Sequence, residues 1–517
     1  MANSQWKDVA NSEDIEEGRL FSAELSEEES VLLIRRPEGL VAWADSCTHA
    51  GCPMSFGHLD KDTLICPCHN AQFDAATGKM LSPPALDDLP GYEVKEEHGR
   101  VFIGSRHEPE FPTPSGTDDR TVAIVGAGAA GAMAAEQLRR EGFGGRIVMI
   151  TPEDGRPYNR PLLSKFYLAK DMSFDNITLR PTSFYDTQRI ELWNGRRATG
   201  VDPESKRISL DDGSELEADF IVLATGSRAK SIPVPGVDLD GCYLLREVAD
   251  AEAIRTRAVS ATNVVVVGAS FIGTETAAYL RDRGLNVTVV APESVPFETV
   301  FGERVGKRFA AMHNAAGIDL KLGTGVSRFV GTDHVESVEL ADGTVLPADL
   351  VVIGAGVEPV VDYLDGSGLV EDGAVPVDQF LRTRFPGVYA AGDIARVAGS
   401  DRAKRVEHWV VAQRHGQQAA KSIVGAETPL PYAPFFWTRQ METSFVYIGY
   451  APDFDEIRYK GDVEEGKFLA GYFKDGVLAA VGTMGKGKSA IRFGRLLDEG
   501  RRITVEDFEA GLSKIGG

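Results

Sequence analysis

Residues 121–142 read TVAIVGAGAAGAMAAEQLRREG, an apolar strand followed by a glycine-rich turn and an alanine-rich helix. The glycines Gly126, Gly128 and Gly131 have the spacing G-x-G-x-x-G, which lets the backbone approach a pyrophosphate at the N-terminus of a helix. The motif alone is weak, but a preceding strand and a following helix are the context that it requires. The segment therefore predicts a dinucleotide-binding α/β domain.

A second segment repeats this pattern. Residues 263–284 read NVVVVGASFIGTETAAYLRDRG, and Gly268 lies 142 residues after Gly126. The turn holds Gly268, Ser270 and Gly273, so a serine takes the middle position. Because a small side chain still permits a close backbone approach, two strand–turn–helix units predict two α/β three-layer domains of the Rossmann type.

Carboxylates that follow the next strand of each unit are candidate ribose ligands. Glu153 lies 27 residues beyond Gly126, after the strand RIVMI, and suits an adenosine ribose, although a solvated loop carboxylate is the alternative. In the second unit Ala291 takes the expected position and Glu293 follows it, with no arginine cluster for a 2′-phosphate. For a unit that binds a nicotinamide dinucleotide, this pattern favours NADH over NADPH.

Four of the five cysteines lie within residues 47–68. Cys47 and His49 are followed by a 16-residue gap and then by Cys66 and His69. Two thiolates and two imidazoles on two loops can hold a 2Fe–2S cluster, with the cysteines on one iron and the histidines on the other. The same residue types also form zinc sites, and the spacing alone leaves both metals open.

Length and charge limit the functions to be considered. The chain has 517 residues, 43% of them hydrophobic, and a formal net charge of −22. This length predicts about three or four domains. The acidic balance argues against nucleic acid or a membrane surface as a partner, since both attract lysine and arginine. No apolar run approaches the roughly 18 residues of a membrane helix, and no targeting signal is recognised, so we expect a cytoplasmic protein.

Changes in composition predict the domain boundaries. Residues 1–106 carry 9 basic and 19 acidic residues and short strand-like pieces between turns, as in a small all-β domain. Residues 107–119 contain three prolines and no periodicity, as in a linker. The remaining chain divides into two nucleotide-binding domains and a small α+β domain, at residues 120–245 with 371–430, residues 246–370, and residues 431–517.

The N-terminal segment is similar to the Rieske family in the runs CTHAG and CPCH and in the F-D-x-x-T-G that follows. The resemblance implies that the two cysteines and two histidines above hold a 2Fe–2S cluster. It also implies a disulfide between Cys52 and Cys68, with two reduced thiols as the alternative. High-potential members place hydroxyl groups where this chain has Ala71 and Phe73, so we expect a potential near the low end of the Rieske range, about −150 mV.

The glycine-rich units, together with RPYNRPLLSK, FIVLATGS and VYAAGD, resemble the two-dinucleotide-binding flavoproteins, and most of all oxygenase-coupled ferredoxin reductases and apoptosis-inducing-factor-like proteins. The resemblance implies FAD on the first unit and NAD(P)H on the second. It places Arg160 and Lys165 beside the flavin and Asp393 on its ribityl chain. Further implied contacts to the dinucleotides come from Ala129, Ala130, Ala198, Thr225, Gly226, Phe271, Ile272, Gly356 and Gly392.

The same resemblance assigns three residues to the redox chemistry, namely Lys165, Glu275 and Trp409. Glu275 is expected to pair with Lys165 beside the flavin, with an exposed glutamate on a helix as the alternative. Trp409 and Trp437 are expected on the flavin face near an acceptor protein, with interdomain packing as the alternative. The flavin domain has no C-x-x-x-x-C, so disulfide-reductase chemistry is not expected.

These features predict an NADH-dependent flavoprotein reductase that passes electrons from NADH through FAD to its own Rieske cluster and on to an acceptor such as a terminal oxygenase. The alternatives are a redox-responsive signalling protein like the apoptosis-inducing-factor-like proteins, and an NADH oxidase. The sequence does not identify the acceptor protein. It is also compatible with a homodimer. An acceptor with a basic patch would complement the acidic N-terminal domain.

Overall fold

The structure is a computed structural model that describes residues 6–114, 116, 118–169, 172–398, 405–426, 428–430 and 433–511. These residues form an all-β domain, two α/β domains and a C-terminal domain, as in the predicted fold class, which is confirmed. No helix within the described ranges has the length and apolar character needed to span a membrane.

The N-terminal domain consists of two antiparallel sheets. The larger sheet has the strand order Lys7–Asn11, Arg100–His107, Gly91–Glu97, Gly39–Ala44, Ser30–Arg36 and Leu20–Glu24. The smaller sheet has the order His58–Asp60, Thr63–Ile65, Gln72–Asp74 and Met80–Ser82. Successive side chains of strand Ser30–Arg36 point to opposite faces. Val31 and Leu33 therefore enter one hydrophobic core, and Leu32 and Ile34 enter the core beneath the cluster loops.

The first α/β domain is built on a parallel sheet whose strands are apolar along their length, because helices cover both faces. The strand order is Ile190–Trp193, Arg146–Ile150, Thr121–Val125, Phe220–Leu223 and Val388–Ala390. Its helices are Ala129–Arg140, Phe166–Ala169, Thr182–Thr187 and Trp409–Ile423. Smaller sheets comprise Ala198–Asp202, Arg207–Leu210 and Glu215–Glu217, and Val375–Val377 with Ala395–Val397. Gly416 permits the first and last of these helices to touch, since a Cβ there would lie 2.0 Å from Ala130 O.

The second α/β domain repeats this architecture. Its parallel sheet has the order Cys242–Leu244, Leu350–Ile353, Asn263–Val267, Asn286–Ala291 and Asp319–Leu322. Its helices are Val248–Ala258, Phe271–Asp282, Glu298–Phe301 and Glu303–Ala315. An antiparallel sheet adds Val326–Gly331, Val335–Leu340 and Val345–Pro347. The two α/β domains are joined by strand pairing between Ser227–Ala229 and Val357–Pro359.

The C-terminal domain is a five-stranded antiparallel sheet with helices packed on it. The strand order is Phe435–Gln440, Thr443–Gly449, Val477–Met484, Lys467–Lys474 and Glu456–Asp462. The helices are Gly487–Asp498 and Val505–Ala510.

The N-terminal domain is docked onto the rest of the molecule at two places. Arg180 Nη1 of the first α/β domain lies 2.8 Å from Asp87 Oδ1. Arg495 Nη2 of the C-terminal domain lies 2.9 Å from Asp60 Oδ2, and Ile65 enters the core of that domain. Ion pairs and apolar packing therefore hold the cluster loops against both domains.

The segment predicted as a linker also contacts the first α/β domain. The Phe111 ring meets the Phe184 ring edge to face, with centroids 4.9 Å apart, and the Arg140 guanidinium lies 4.5 Å from the Phe111 centroid. The composition of the segment gave no sign of this contact, because an isolated aromatic residue has no periodicity.

Candidate functional site

The first glycine-rich turn has the geometry that a dinucleotide requires. Gly126 has a φ of +109°, and a Cβ there would lie 2.2 Å from Ala224 O. A Cβ on Gly131 would lie 1.9 Å from Gly126 O, so only glycine lets the helix start so close to the strand. A Cβ on Gly128 would meet nothing within 4 Å. The open space at Gly128, at the N-terminus of helix Ala129–Arg140, suits a pyrophosphate.

The second turn has the same geometry with a serine at its middle position. Gly268 has a φ of +106°, and a Cβ on Gly273 would lie 2.1 Å from Gly268 O. The Ser270 hydroxyl donates a hydrogen bond of 3.0 Å to Gly354 O. The hydroxyl is thus satisfied by the adjacent strand loop, which explains how the turn tolerates a serine.

Both turns open onto one cavity of 870 Å³. This volume lies within the range of ligand pockets, about 300–1,000 Å³. The residues expected from the sequence that line it are Gly126, Gly128, Ala129, Ala130, Glu153, Arg160, Lys165, Ala198, Thr225, Gly226, Ser270, Phe271, Ile272, Glu275, Gly356, Gly392, Asp393, Trp409 and Trp437. Gly131, Gly268 and Gly273 shape the turns behind this wall. Glu293 lies instead in an exposed turn outside the lining residues.

A buried ion pair joins the two α/β domains at the cavity wall. Lys165 Nζ lies 2.6 Å from Glu275 Oε2, and the side chains are only 9% and 4% exposed. Ser164 donates to Glu275 Oε2 at 2.6 Å, and Thr438 of the C-terminal domain donates to Glu275 Oε1 at 2.7 Å. Three donors therefore fix this carboxylate and, through it, the ammonium group. Ser164 lies within the run RPYNRPLLSK, but the sequence assigned a role only to Arg160 and Lys165 of that run.

The carboxylates on the far side of the cavity are also held by cations. Asp393 Oδ2 accepts hydrogen bonds of 3.0 Å from Ser227 and from Arg246 Nη2. Glu153 accepts from Arg160 Nη2 at 2.6 Å and from the Tyr158 hydroxyl. Arg160 thus contacts Glu153 in the cavity wall, and their expected roles at the flavin and the ribose stay predictions. Arg246, 147 residues from Asp393, was not recognisable from the sequence.

The predicted cluster ligands converge in one half-buried site. The Nδ1 atoms of His49 and His69 lie 3.1 Å apart. Burial lowers the pKa of His49 to about 4 and that of His69 to about 3, so both imidazoles are neutral and able to bind metal at pH 7. The buried thiols of Cys47 and Cys66 share a hydrogen bond, which raises the pKa of Cys47 and lowers that of Cys66. Two adjacent sulfurs beside two adjacent nitrogens fit a 2Fe–2S cluster.

The other two cysteines of this segment are bonded to each other. A disulfide joins Cys52 and Cys68 across the two ligand loops. Their sulfurs lie within 4.8 Å of the Cys66 sulfur, but disulfide sulfurs carry no thiolate to bind a metal. Cys47 N donates to Cys52 O at 2.9 Å, which fixes the first loop. Outside this segment the free cysteine of the described chain is Cys242, so no cysteine pair lines the cavity.

One aromatic residue contacts both the cluster site and the cavity. The Trp437 ring meets the His69 ring with centroids 4.7 Å apart and the His49 ring at 6.2 Å, and it lines the dinucleotide cavity. Phe436 and His408, which also line the cavity, pack with centroids 4.7 Å apart. The structure therefore places Trp437 between the two redox sites, whereas the sequence placed it only on the flavin face.

Known proteins match each part of this architecture. Family models match the Rieske [2Fe-2S] domain at residues 5–93, the pyridine nucleotide-disulphide oxidoreductases at residues 120–416 and the reductase C-terminal domain at residues 435–510. Apoptosis-inducing factor 3 of Homo sapiens is 33% identical to this protein, and the match covers 97% of this chain and 85% of the length of that protein. The ferredoxin–NAD(+) reductase subunit of the benzene 1,2-dioxygenase system of Pseudomonas putida is 36% identical, and the match covers 70% of this chain and 88% of the length of that subunit.

A solved structure gives the same result. The crystal structure of a ferredoxin reductase from Rhodopseudomonas palustris matches with a TM-score of 0.71 and 34% identity, over 75% of this chain and 96% of that one. The matches confirm the expected cofactors, which are FAD, NAD(P)H and a 2Fe–2S cluster. Of the two metal centres that the spacing left open, they support the iron–sulfur cluster and not zinc. The chain belongs to the pyridine nucleotide-disulphide oxidoreductase family, in a form that carries an N-terminal Rieske domain and a reductase C-terminal domain.

Proposed function

We propose that this protein is an NADH-dependent reductase that delivers electrons to its own Rieske centre and then to a separate acceptor protein, such as a terminal oxygenase. The observation that carries this proposal is the position of Trp437, whose ring lines the dinucleotide cavity and contacts both histidines of the cluster site. The similarity to a reductase subunit of a dioxygenase system supports an oxygenase as the acceptor.

The chain's own residues bind and orient the redox groups. When bound, FAD and NADH supply hydride transfer and the cluster supplies one-electron transfer. The two glycine turns receive the diphosphates. Lys165, fixed by Glu275, brings a positive charge to the cavity wall, where it stabilises negative charge that develops on a ring bound there. The described cavity wall contains no cysteine, so it offers no thiol to accept electrons.

The docked N-terminal domain makes the cluster a built-in first acceptor. Arg180 bridges Asp87 of that domain and the buried Glu136 of the first α/β domain, at 2.8 and 2.9 Å. The pair of Arg495 with Asp60 holds the opposite side. Because the centre is part of the same chain, its effective concentration at the cavity is high and no encounter is needed.

The proposal is tested by adding NADH anaerobically to the protein reconstituted with FAD and iron–sulfur, while recording absorbance and low-temperature EPR. We expect the flavin to bleach and a Rieske signal to appear. A bleached flavin beside an oxidised cluster would contradict the proposal. Fast oxygen consumption without any acceptor protein would instead favour an NADH oxidase.

The similarity to apoptosis-inducing factor 3 over 97% of the chain supports a second candidate, a redox-responsive signalling protein. In that case NADH would change the association state, for example between monomer and homodimer, with slow turnover. Size-exclusion chromatography with and without NADH separates the candidates. A shift in size without rapid acceptor reduction would favour signalling.

A further inference from the structure

The histidine side of the cluster site is already covered by the reductase. His49 and His69 face Trp437, which belongs to the C-terminal domain. An external acceptor therefore needs another approach to the cluster while the domain is docked. The exposed residues nearest in sequence to the ligands are Ser46, Ala50, Gly51 and Pro53 of the first loop.

An aromatic side chain lies exposed at the end of that loop. Phe56 is 68% exposed and is the one aromatic among the large exposed hydrophobic residues of the described chain. The turn that carries it is fixed, because Ser55 donates to Asp45 from both its amide and its hydroxyl at 2.7 Å. A rigid, exposed phenylalanine four residues after Cys52 is a suitable apolar contact for a partner.

Two exposed cations flank the same region. Lys488 and Arg492 are four residues apart on helix Gly487–Asp498, so they share one face. The start of this helix touches the second cluster loop, since a Cβ on Gly487 would lie 3.2 Å from Pro67 O. Burial, followed by the charge of Arg492, lowers the pKa of His58, and Lys488 acts in the same direction. Arg495 of the same helix pairs with Asp60 at 2.9 Å, so the helix that carries the two cations lies against the strand that follows Phe56.

Most carboxylates near the cluster loops are paired with arginines, although the chain as a whole is acidic. Of the six carboxylates between residues 45 and 88, four pair with arginines, namely Asp60, Asp62, Asp87 and Asp88. The other two, Asp45 and Asp74, accept hydrogen bonds from neutral groups. Lys488 and Arg492 have no carboxylate partner among the ion pairs of the described chain. Lys488 and Arg492 are therefore unpaired cations beside the cluster loops, and an acidic acceptor complements them, whereas the overall charge of the N-terminal domain favours a basic one.

We propose that Phe56, Lys488 and Arg492, here called the cluster-end patch, dock a separate electron-acceptor protein that presents an acidic surface around its own redox centre. The inference rests on the proposed function. The step is a one-electron transfer in which the acceptor is reduced and the centre held by the cysteine and histidine ligands is oxidised, with no bond formed or broken. NADH supplies the electron.

The test uses two protein acceptors of opposite charge, acidic cytochrome b5 and basic cytochrome c, with the holoprotein and NADH at low ionic strength. The double variant Lys488→Glu/Arg492→Glu should reduce cytochrome b5 at least about tenfold more slowly and cytochrome c faster. Phe56→Ser should slow cytochrome b5 reduction several-fold. In every variant the NADH-driven reduction of the protein's own cluster, followed by stopped-flow absorbance, should be unchanged.

Arg502→Glu is the matched control. Arg502 is exposed in the same domain, beyond the opposite end of a 12-residue helix that spans about 18 Å. Unchanged cytochrome b5 reduction in the double variant, or an equal loss in Arg502→Glu, would overturn the inference. Failure of NADH to reduce the cluster in the unmodified protein would instead contradict the proposed function, so the two failures are distinguishable.

Discussion

The substitution Glu275→Gln probes the ion pair that joins the two α/β domains. Glu275 receives hydrogen bonds from Lys165, Ser164 and Thr438 on two carboxylate oxygens. Glutamine supplies a single oxygen and adds two donors, so at least one of these donors loses its acceptor. It also leaves the Lys165 ammonium buried without its counter-charge. Removing one partner of a buried pair costs about 3–5 kcal/mol, and exposures of 9% and 4% leave little solvent screening to reduce this.

We expect Glu275→Gln to lower the free energy of unfolding by about 3–5 kcal/mol. The measurement is urea unfolding of the holoprotein, followed by the flavin fluorescence that rises when FAD is released. The double variant Lys165→Met/Glu275→Leu should lose less, because neither charge is left unpaired. Glu339→Gln, which breaks the exposed pair with Arg328, is the control and should cost under about 1 kcal/mol. A loss as small as this control in Glu275→Gln would show that the pair does not hold the domains together.

Four further predictions follow from other parts of the molecule. Trp437→Leu should slow NADH-driven reduction of the cluster several-fold in stopped-flow absorbance while flavin reduction keeps its rate; equal slowing of both would contradict its bridging position. Ala71→Ser with Phe73→Tyr should raise the cluster potential in an EPR-monitored redox titration by an amount on the order of tens of millivolts, since hydroxyls near the cluster favour its reduced form; an unchanged potential would count against this. Burial raises the pKa of Glu136 despite its pair with Arg180, so the stability that this group contributes is present below the ordinary glutamate pKa and is lost as pH rises through the raised pKa of the folded state; Glu136→Gln should flatten this part of the slope of urea midpoints against pH, and an unchanged slope would contradict the shift. The kcat/KM for NADH should exceed that for NADPH in dye reduction, and a preference for NADPH would show that the exposed Glu293 does not select the ribose.

Much of the fold and of the site could be predicted because the signals are local. Each glycine turn, at Gly126 and at Gly268, lies between the strand and the helix that complete its motif. The four cluster ligands lie within 23 consecutive residues. Lys165 and Glu275 are 110 residues apart, and only the family resemblance suggested that they pair. No spacing rule connects positions so distant in the sequence.

The remaining features depend on packing between domains. The pairing of Arg246 with Asp393, the docking of Arg180 on Asp87 and the contact of Phe111 with Phe184 each join segments that no periodicity relates. The position of Trp437 against the cluster histidines arises only when the first and last domains meet. These contacts determine how the two redox sites communicate, so the route between them was beyond the reach of sequence alone.

The most direct test of electron transfer within one docked chain is the dependence of cluster reduction on protein concentration. In single-turnover stopped-flow experiments with excess NADH, the rate of cluster reduction after flavin reduction should be first order and independent of protein concentration, because both sites belong to one docked chain. A rate that rises in proportion to protein concentration would mean that each cluster is reduced by the flavin of another molecule, and it would contradict the arrangement described here.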